Sequence, residues 1–207
     1  DKKTLWQIMK EPKYQYIEIE IPYYDYLRGD VLISDIQNVM EDCPGNLSID
    51  KLIYLLYIQF LFQIRKGISY TEDKKQGFTL EKLAVKLIAL QKECEPPRLM
   101  ETVKKETFNQ ISPNTWAFEE REEVVTKKPA NKPTFAYLTI RIKTEEVYRG
   151  EVLLNDLNSV NPAVDYGVEE LIAYLYIDFI KKIKREGNDE RVMRSIVSAY
   201  EHYKGHY

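Results

Sequence analysis

Two short stretches carry the reading of the fold. The first is Arg28-Gly29-Asp30-Val31-Leu32-Ile33-Ser34-Asp35. The second is Arg149-Gly150-Glu151-Val152-Leu153-Leu154-Asn155-Asp156, and the two match position for position. The match extends outward at the same offset. Upstream it aligns Pro12 with Pro133, Tyr16 with Tyr137 and Ile19 with Ile140. Downstream, after a two-residue deletion, it aligns Leu52-Ile53 with Leu171-Ile172, and Leu56-Tyr57-Ile58 with Leu175-Tyr176-Ile177. The spacing is much longer than that of a solenoid repeat, so it points to duplication of a small domain.

Each copy opens on a strand pattern. Ile17, Ile19 and Ile21 alternate with Glu18 and Glu20, and Leu138, Ile140 and Ile142 alternate with Thr139, Arg141 and Lys143. Such alternation marks a half-buried strand. Glycine at 29 and 150 suits a hairpin turn, with Val31-Leu32-Ile33 and Val152-Leu153-Leu154 as return strands. Two helices then follow in each copy. Helix 49–66 starts at the candidate cap Ser48 and is apolar nearly all round. Helix 80–94 is capped by Thr79, helix 168–186 by Gly167 or Asp165, and helix 189–203 closes the chain. Residues 4–10 fit a short helix.

The expected class is therefore α+β: a tandem duplication of a β-hairpin plus two-helix unit, pseudo-two-fold, with units at 1–95 and 133–207. Residues 96–132 read as an exposed linker holding one short helix near 99–108, because Pro96-Pro97 ends a helix and Glu119, Glu120, Glu122 and Glu123 are followed by Lys127-Lys128-Pro129. One strand is acidic outside and the other basic. This suggests that the two units share one antiparallel sheet, with Glu18 and Glu20 facing Arg141 and Lys143.

Composition narrows the function. A net charge of −3 over 207 residues argues against grip on nucleic acid by bulk charge. Two cysteines, Cys43 and Cys94, read as free thiols of a reducing compartment. No apolar signal core follows Asp1-Lys2-Lys3-Thr4, and the longest apolar run, 52–62, is too short to span a bilayer. A cytoplasmic location without membrane contact is expected.

The sequence offers no catalytic site. His202 and His206, near the C-terminus, are its only histidines, and no phosphate-binding glycine loop or Cys-x-x-Cys pair is present. No cofactor or metal is expected. Asp35 and Asp156 recur in both copies and leave a carboxylate-based enzyme as a remote option, with a cap or turn role as the simpler reading. The leading expectation is a non-enzymatic protein-interaction module, an adaptor, inhibitor or regulator of bacterial or phage origin, acting as monomer or homodimer on another protein. Its contacts would be hairpin tips at Arg28 and Arg149 with Tyr23, Tyr24, Tyr26 and Tyr148, since tyrosine offers contact area at low entropic cost. The alternative is a nucleic-acid-binding regulator using Arg141, Lys143, Lys127, Lys128 and Lys132.

Overall fold

A computed structural model describes residues 12–40, 45–69, 79–94, 100–112, 115–126 and 134–203. The protein is α+β. The described residues up to Cys94 and from Thr134 onward form one compact unit, and the segment between them forms a second.

In the first unit, β1 (Tyr14–Pro22) is followed by α1 (Tyr23–Val39), α2 (Ile49–Ser69) and α3 (Leu80–Cys94). Later in the chain, β4 (Phe135–Lys143) is followed by α4 (Thr144–Val160), α5 (Val168–Glu186) and α6 (Glu190–Tyr203). β1 and β4 form a two-stranded antiparallel sheet. Its inner face, Ile17, Ile19, Ile21, Ile140 and Ile142, is buried against α5 on the β1 side and α2 on the β4 side. As expected from its apolar circumference, α2 touches β4, α1, α4, α5 and α6, and it buries Leu52, Ile53, Tyr54, Leu55, Tyr57 and Ile58.

The sheet is shared, but its register differs from the one that charge pairing suggests. Glu18 lies opposite Thr139, Glu20 opposite Tyr137, Tyr16 opposite Arg141 and Tyr14 opposite Lys143. The buried isoleucines set this alignment. A one-residue slip would turn one strand's isoleucines to solvent, whereas exposed charge pairs contribute only about 0–1 kcal/mol.

The hairpins expected at Arg28-Gly29 and Arg149-Gly150 are absent. Both stretches lie inside helices, so each strand is followed by three helices rather than by a return strand and two helices. In α1 the buried positions are Asp25, Gly29, Leu32, Ile33 and Ile36. In α4 they are Thr144, Val147, Gly150, Leu153, Leu154 and Leu157. These are helical stripes, and they outweigh a three-residue apolar run that could equally be strand. Each helix begins where its strand ends. The Tyr23 N–H donates to the Thr134 carbonyl at 2.9 Å, and the Thr144 N–H donates to the Lys13 carbonyl at 3.0 Å. An otherwise orphaned donor of each first turn is thus satisfied by the residue just before the opposite strand.

The closing helices cross over. α3 packs on α4 and α5, whereas α6 packs on α2 and shares a core cluster with Leu32, Ile33 and Ile36 of α1. Two caps match the sequence reading: the Lys82 N–H reaches Thr79 Oγ1 at 3.4 Å, and Glu170 folds back onto the Gly167 N–H at 2.9 Å.

The second unit contains β2 (Met100–Ser112) and β3 (Thr115–Thr126), paired antiparallel with Phe108 opposite Phe118 and Lys104 opposite Glu122. This replaces the short helix expected near 99–108 and the loop expected after it. Threonine, valine and aromatic residues in both segments favour strand, and the charges that suggested loop are compatible with a ladder. The expected helix at 4–10 lies outside the described residues.

Candidate functional site

The centre of the first unit is held by two reciprocal contacts. Tyr57 of α2 donates its hydroxyl hydrogen bond to the Glu146 carbonyl of α4 at 2.8 Å. Tyr176 of α5 donates to the Asp25 carbonyl of α1 at 2.9 Å. Each tyrosine is fully buried and lies where only a glycine leaves room. A Cβ built on Gly29 would fall 2.0 Å from the Tyr176 hydroxyl, and one built on Gly150 would fall 2.1 Å from the Tyr57 hydroxyl. Both glycines therefore serve close approach within a helix and not a turn. Burial holds both phenols well above the usual tyrosine range; Glu146 adds to the effect at Tyr57, and Asp25 and Asp30 at Tyr176. Tyr54 accepts the Lys143 N–H at 3.3 Å and is pushed up to about 12, chiefly by burial.

Beside Tyr176, Lys184 Nζ lies 2.6 Å from Asp25 Oδ1 and 4.6 Å from the Tyr24 ring centroid. Asp25 is only 6% exposed, so loss of Lys184 would leave a buried carboxylate without its partner. Lys184→Met is expected to lower stability by about 2 kcal/mol, reduced from the cost at a fully buried pair because Lys184 is partly exposed. Adding Asp25→Asn should restore most of the loss. Urea melts of the two variants check this.

The residues expected to bind a partner lie on helices, not on hairpin tips. Tyr23, Tyr24, Tyr26 and Arg28 occupy the first two turns of α1, with the Tyr23 and Tyr26 rings stacked at 6.1 Å. Tyr148 and Arg149 occupy the second turn of α4, where Arg149 pairs with Glu145 and lies 3.9 Å from Glu146. Sequence reasoning missed their neighbours. Tyr24, Leu27 and Val31 are exposed along the outer face of α1, with Tyr24 at 62% and Val31 at 52%. Tyr148 and Val152 repeat this on α4, with Val152 at 60%. The spacing i, i+3, i+7 would have revealed the stripe had the segment been read as helix.

The outer face of the sheet carries exposed Tyr16, Glu18, Glu20, Tyr137, Thr139 and Arg141. The Arg141 guanidinium lies 3.9 Å from the Tyr14 ring centroid. Lys127, Lys128 and Lys132 lie outside the described residues, as do Cys43 and His206. Asp35 and Asp156 stand within α1 and α4 rather than at strand ends; Asp35 accepts from Asn188 Nδ2 at 2.8 Å, and Asp156 is exposed. Cys94 is a half-buried free thiol, pushed up to about 11 by burial, with Lys181 opposing the shift. Its Sγ faces the Tyr174 carbonyl at 3.7 Å.

A separate cleft of about 460 Å³ opens between α2, α4 and the end of α6. Its walls include Ile58, Leu61, Phe62 and Leu153, with Arg65, Glu146, Arg149 and His202 among them. Among the described residues, no group of three His, Cys, Asp or Glu side chains could hold a metal ion, and no helix is long and apolar enough to cross a membrane. No family model matches the sequence, and neither the curated proteins nor the solved structures include a match to it.

Proposed function

We propose that the chain is a tandem duplication acting as a non-enzymatic protein-binding module, with the outer faces of α1 and α4 as its contact surfaces. The pseudo-two-fold axis of the duplication would pass through the Glu18–Thr139 pair, because these aligned positions face each other across the sheet. The reciprocal bonds of Tyr57 and Tyr176, and those of Tyr23 and Thr144, fall on aligned positions too, and support the same relation.

One observation carries the functional reading. At aligned positions both helices expose apolar side chains to solvent: Leu27 and Tyr148, then Val31 and Val152. A single exposed apolar residue has no special meaning, but a contiguous stripe marks an interaction surface. Aromatic residues at its head supply anchors of the kind that dominate protein interfaces. Tyr23 and Tyr24 are those anchors on α1, and Tyr148 is the anchor on α4; Tyr26 packs against the core and buttresses Tyr23.

Arg141 over Tyr14, beside exposed Tyr16 and Tyr137, favours nucleic acid as a second reading, since such platforms stack bases. Glu18 and Glu20 on the same face repel phosphate, so the protein partner stands first.

Capture from host lysate, with and without nuclease, tests the proposal when repeated with Leu27→Glu/Val31→Glu and Tyr148→Glu/Val152→Glu. A protein that survives nuclease and falls at least tenfold with either pair is expected. Undiminished capture by both variants, or recovery of nucleic acid alone, would refute the reading.

A further inference from the structure

The cleft between α2, α4 and α6 differs from the aligned place on the other side of the sheet in a way that points to a ligand. Arg65 aligns with Lys184, Glu146 with Asp25, Leu153 with Leu32, and Ile58 with Ile177. At Lys184 the cation is closed onto the Asp25 carboxylate at 2.6 Å, and Leu32 is fully buried in a packed cluster with Ile183, Met193 and Ile196. At Arg65 the same ingredients stay open. Glu146 lies near Arg149, at 3.9 Å, and Arg65 has no ion pair among the described residues. The buried side chains Ile58, Ile64 and Leu153 form the floor of an open cleft of about 460 Å³ beside it.

We infer that this cleft binds a small amphipathic carboxylate, an acyl chain or a ring bearing one anionic group. The size is that of an ordinary small-molecule site, mostly apolar with a few convergent polar groups. Ile58, Leu61, Phe62 and Leu153 take the apolar body. Arg65 takes the carboxylate, for which a guanidinium is the best-matched partner. His202 stands on the same walls as a further donor; Arg149 is already paired with Glu145, and Glu146 disfavours a second negative charge on the ligand. This site is distinct from the exposed stripes of α1 and α4.

The test is isothermal titration of the full chain with decanoate, decanol and decyltrimethylammonium at concentrations below micelle formation. Decanoate should bind saturably at one site with a micromolar Kd, and the neutral and cationic analogues at least tenfold more weakly. Arg65→Gln, a change at an exposed side chain, should weaken decanoate about tenfold while the thermal midpoint of the free protein stays unchanged. Leu61→Trp, which fills the cleft from a half-buried position, should abolish binding. Absence of saturable binding up to 1 mM, equal affinity for decanol, or an Arg65→Gln Kd within twofold of the parent would each overturn the inference.

Discussion

Gly29→Ala lowers the stability of the protein by about 2–4 kcal/mol, and Gly150→Ala does the same. The usual effect of this change in a helix is the opposite, a gain of about 1 kcal/mol. Here the new methyl group would fall 2.0 Å from the Tyr176 hydroxyl, or 2.1 Å from the Tyr57 hydroxyl. Overpacking costs about 1–3 kcal/mol. A displaced tyrosine also loses its bond to the Asp25 or Glu146 carbonyl, and a buried hydroxyl left without a partner costs about 1–3 kcal/mol more. Tyr176→Phe alone removes only the bond and costs about 1 kcal/mol. In Gly29→Ala/Tyr176→Phe the colliding oxygen is gone, so the double variant should be more stable than the sum of its parents implies. Urea denaturation of the four proteins measures the coupling. A neutral or stabilising Gly29→Ala would show that the tyrosine does not sit against α1.

The second large effect is alkaline unfolding. Tyr57 and Tyr176 titrate well above the ordinary value of 10 in the folded chain because both are buried. Below pH 10 the phenols are protonated in both folded and unfolded chains, and stability is unaffected. Above pH 10 the unfolded chain releases protons that the folded chain retains, so each tyrosine removes about 1.4 kcal/mol of stability per pH unit. The pair together should remove on the order of 5 kcal/mol between pH 10 and 12. Tyr54 and Tyr166, each pushed up to about 12 by burial, steepen the fall in the same direction. In a Cys94→Ser background, which removes the buried thiol that would otherwise lower stability from about pH 9, stability measured by urea titration from pH 8 upward should be level and then drop steeply past pH 10, and adding Tyr57→Phe/Tyr176→Phe should roughly halve the slope. An equal slope in the double variant would place the two phenols in water.

How far the sequence reveals this molecule depends on how local each cause is. The strands β1 and β4 are legible because Ile17, Ile19 and Ile21, and their counterparts, alternate with polar residues over a full strand length. α2, α3, α5 and α6 are legible from caps and long apolar stripes, such as Thr79 before α3 and Gly167 before α5. α1 and α4 are not, because Gly29 and Gly150 are explained by Tyr176 and Tyr57, residues far away in the chain. A glycine between two apolar runs reads as a turn until the partner that needs its empty side is known. The strand register is hidden for a related reason: the core, and not the surface charges Glu18 and Arg141, decides it.

The same logic governs the candidate sites. Tyr23, Tyr24, Tyr26 and Tyr148 are recognisable as contact candidates from residue type, but the exposed stripe of Tyr24, Leu27 and Val31, with Tyr148 and Val152, exists only once the segment is helical, and Tyr26 then turns toward the core. The cleft at Arg65 is beyond sequence reasoning, because α2, α4 and α6 meet there from three separate parts of the chain.

The shared sheet with Glu18 opposite Thr139 is the feature from which the rest follows, and cross-linking tests it directly. In a Cys43→Ser/Cys94→Ser background, Glu18→Cys/Thr139→Cys places two thiols on directly opposed strand positions, within the ~4.4–6.8 Å Cα separation that a disulfide accepts. Glu18→Cys/Tyr137→Cys places them on a diagonal, ~7–8 Å apart. Mild oxidation followed by thiol counting should give near-complete intramolecular bridging in the first pair and little in the second. Preferential bridging of the second pair, or none in either, would contradict the register and with it the pairing of the two halves.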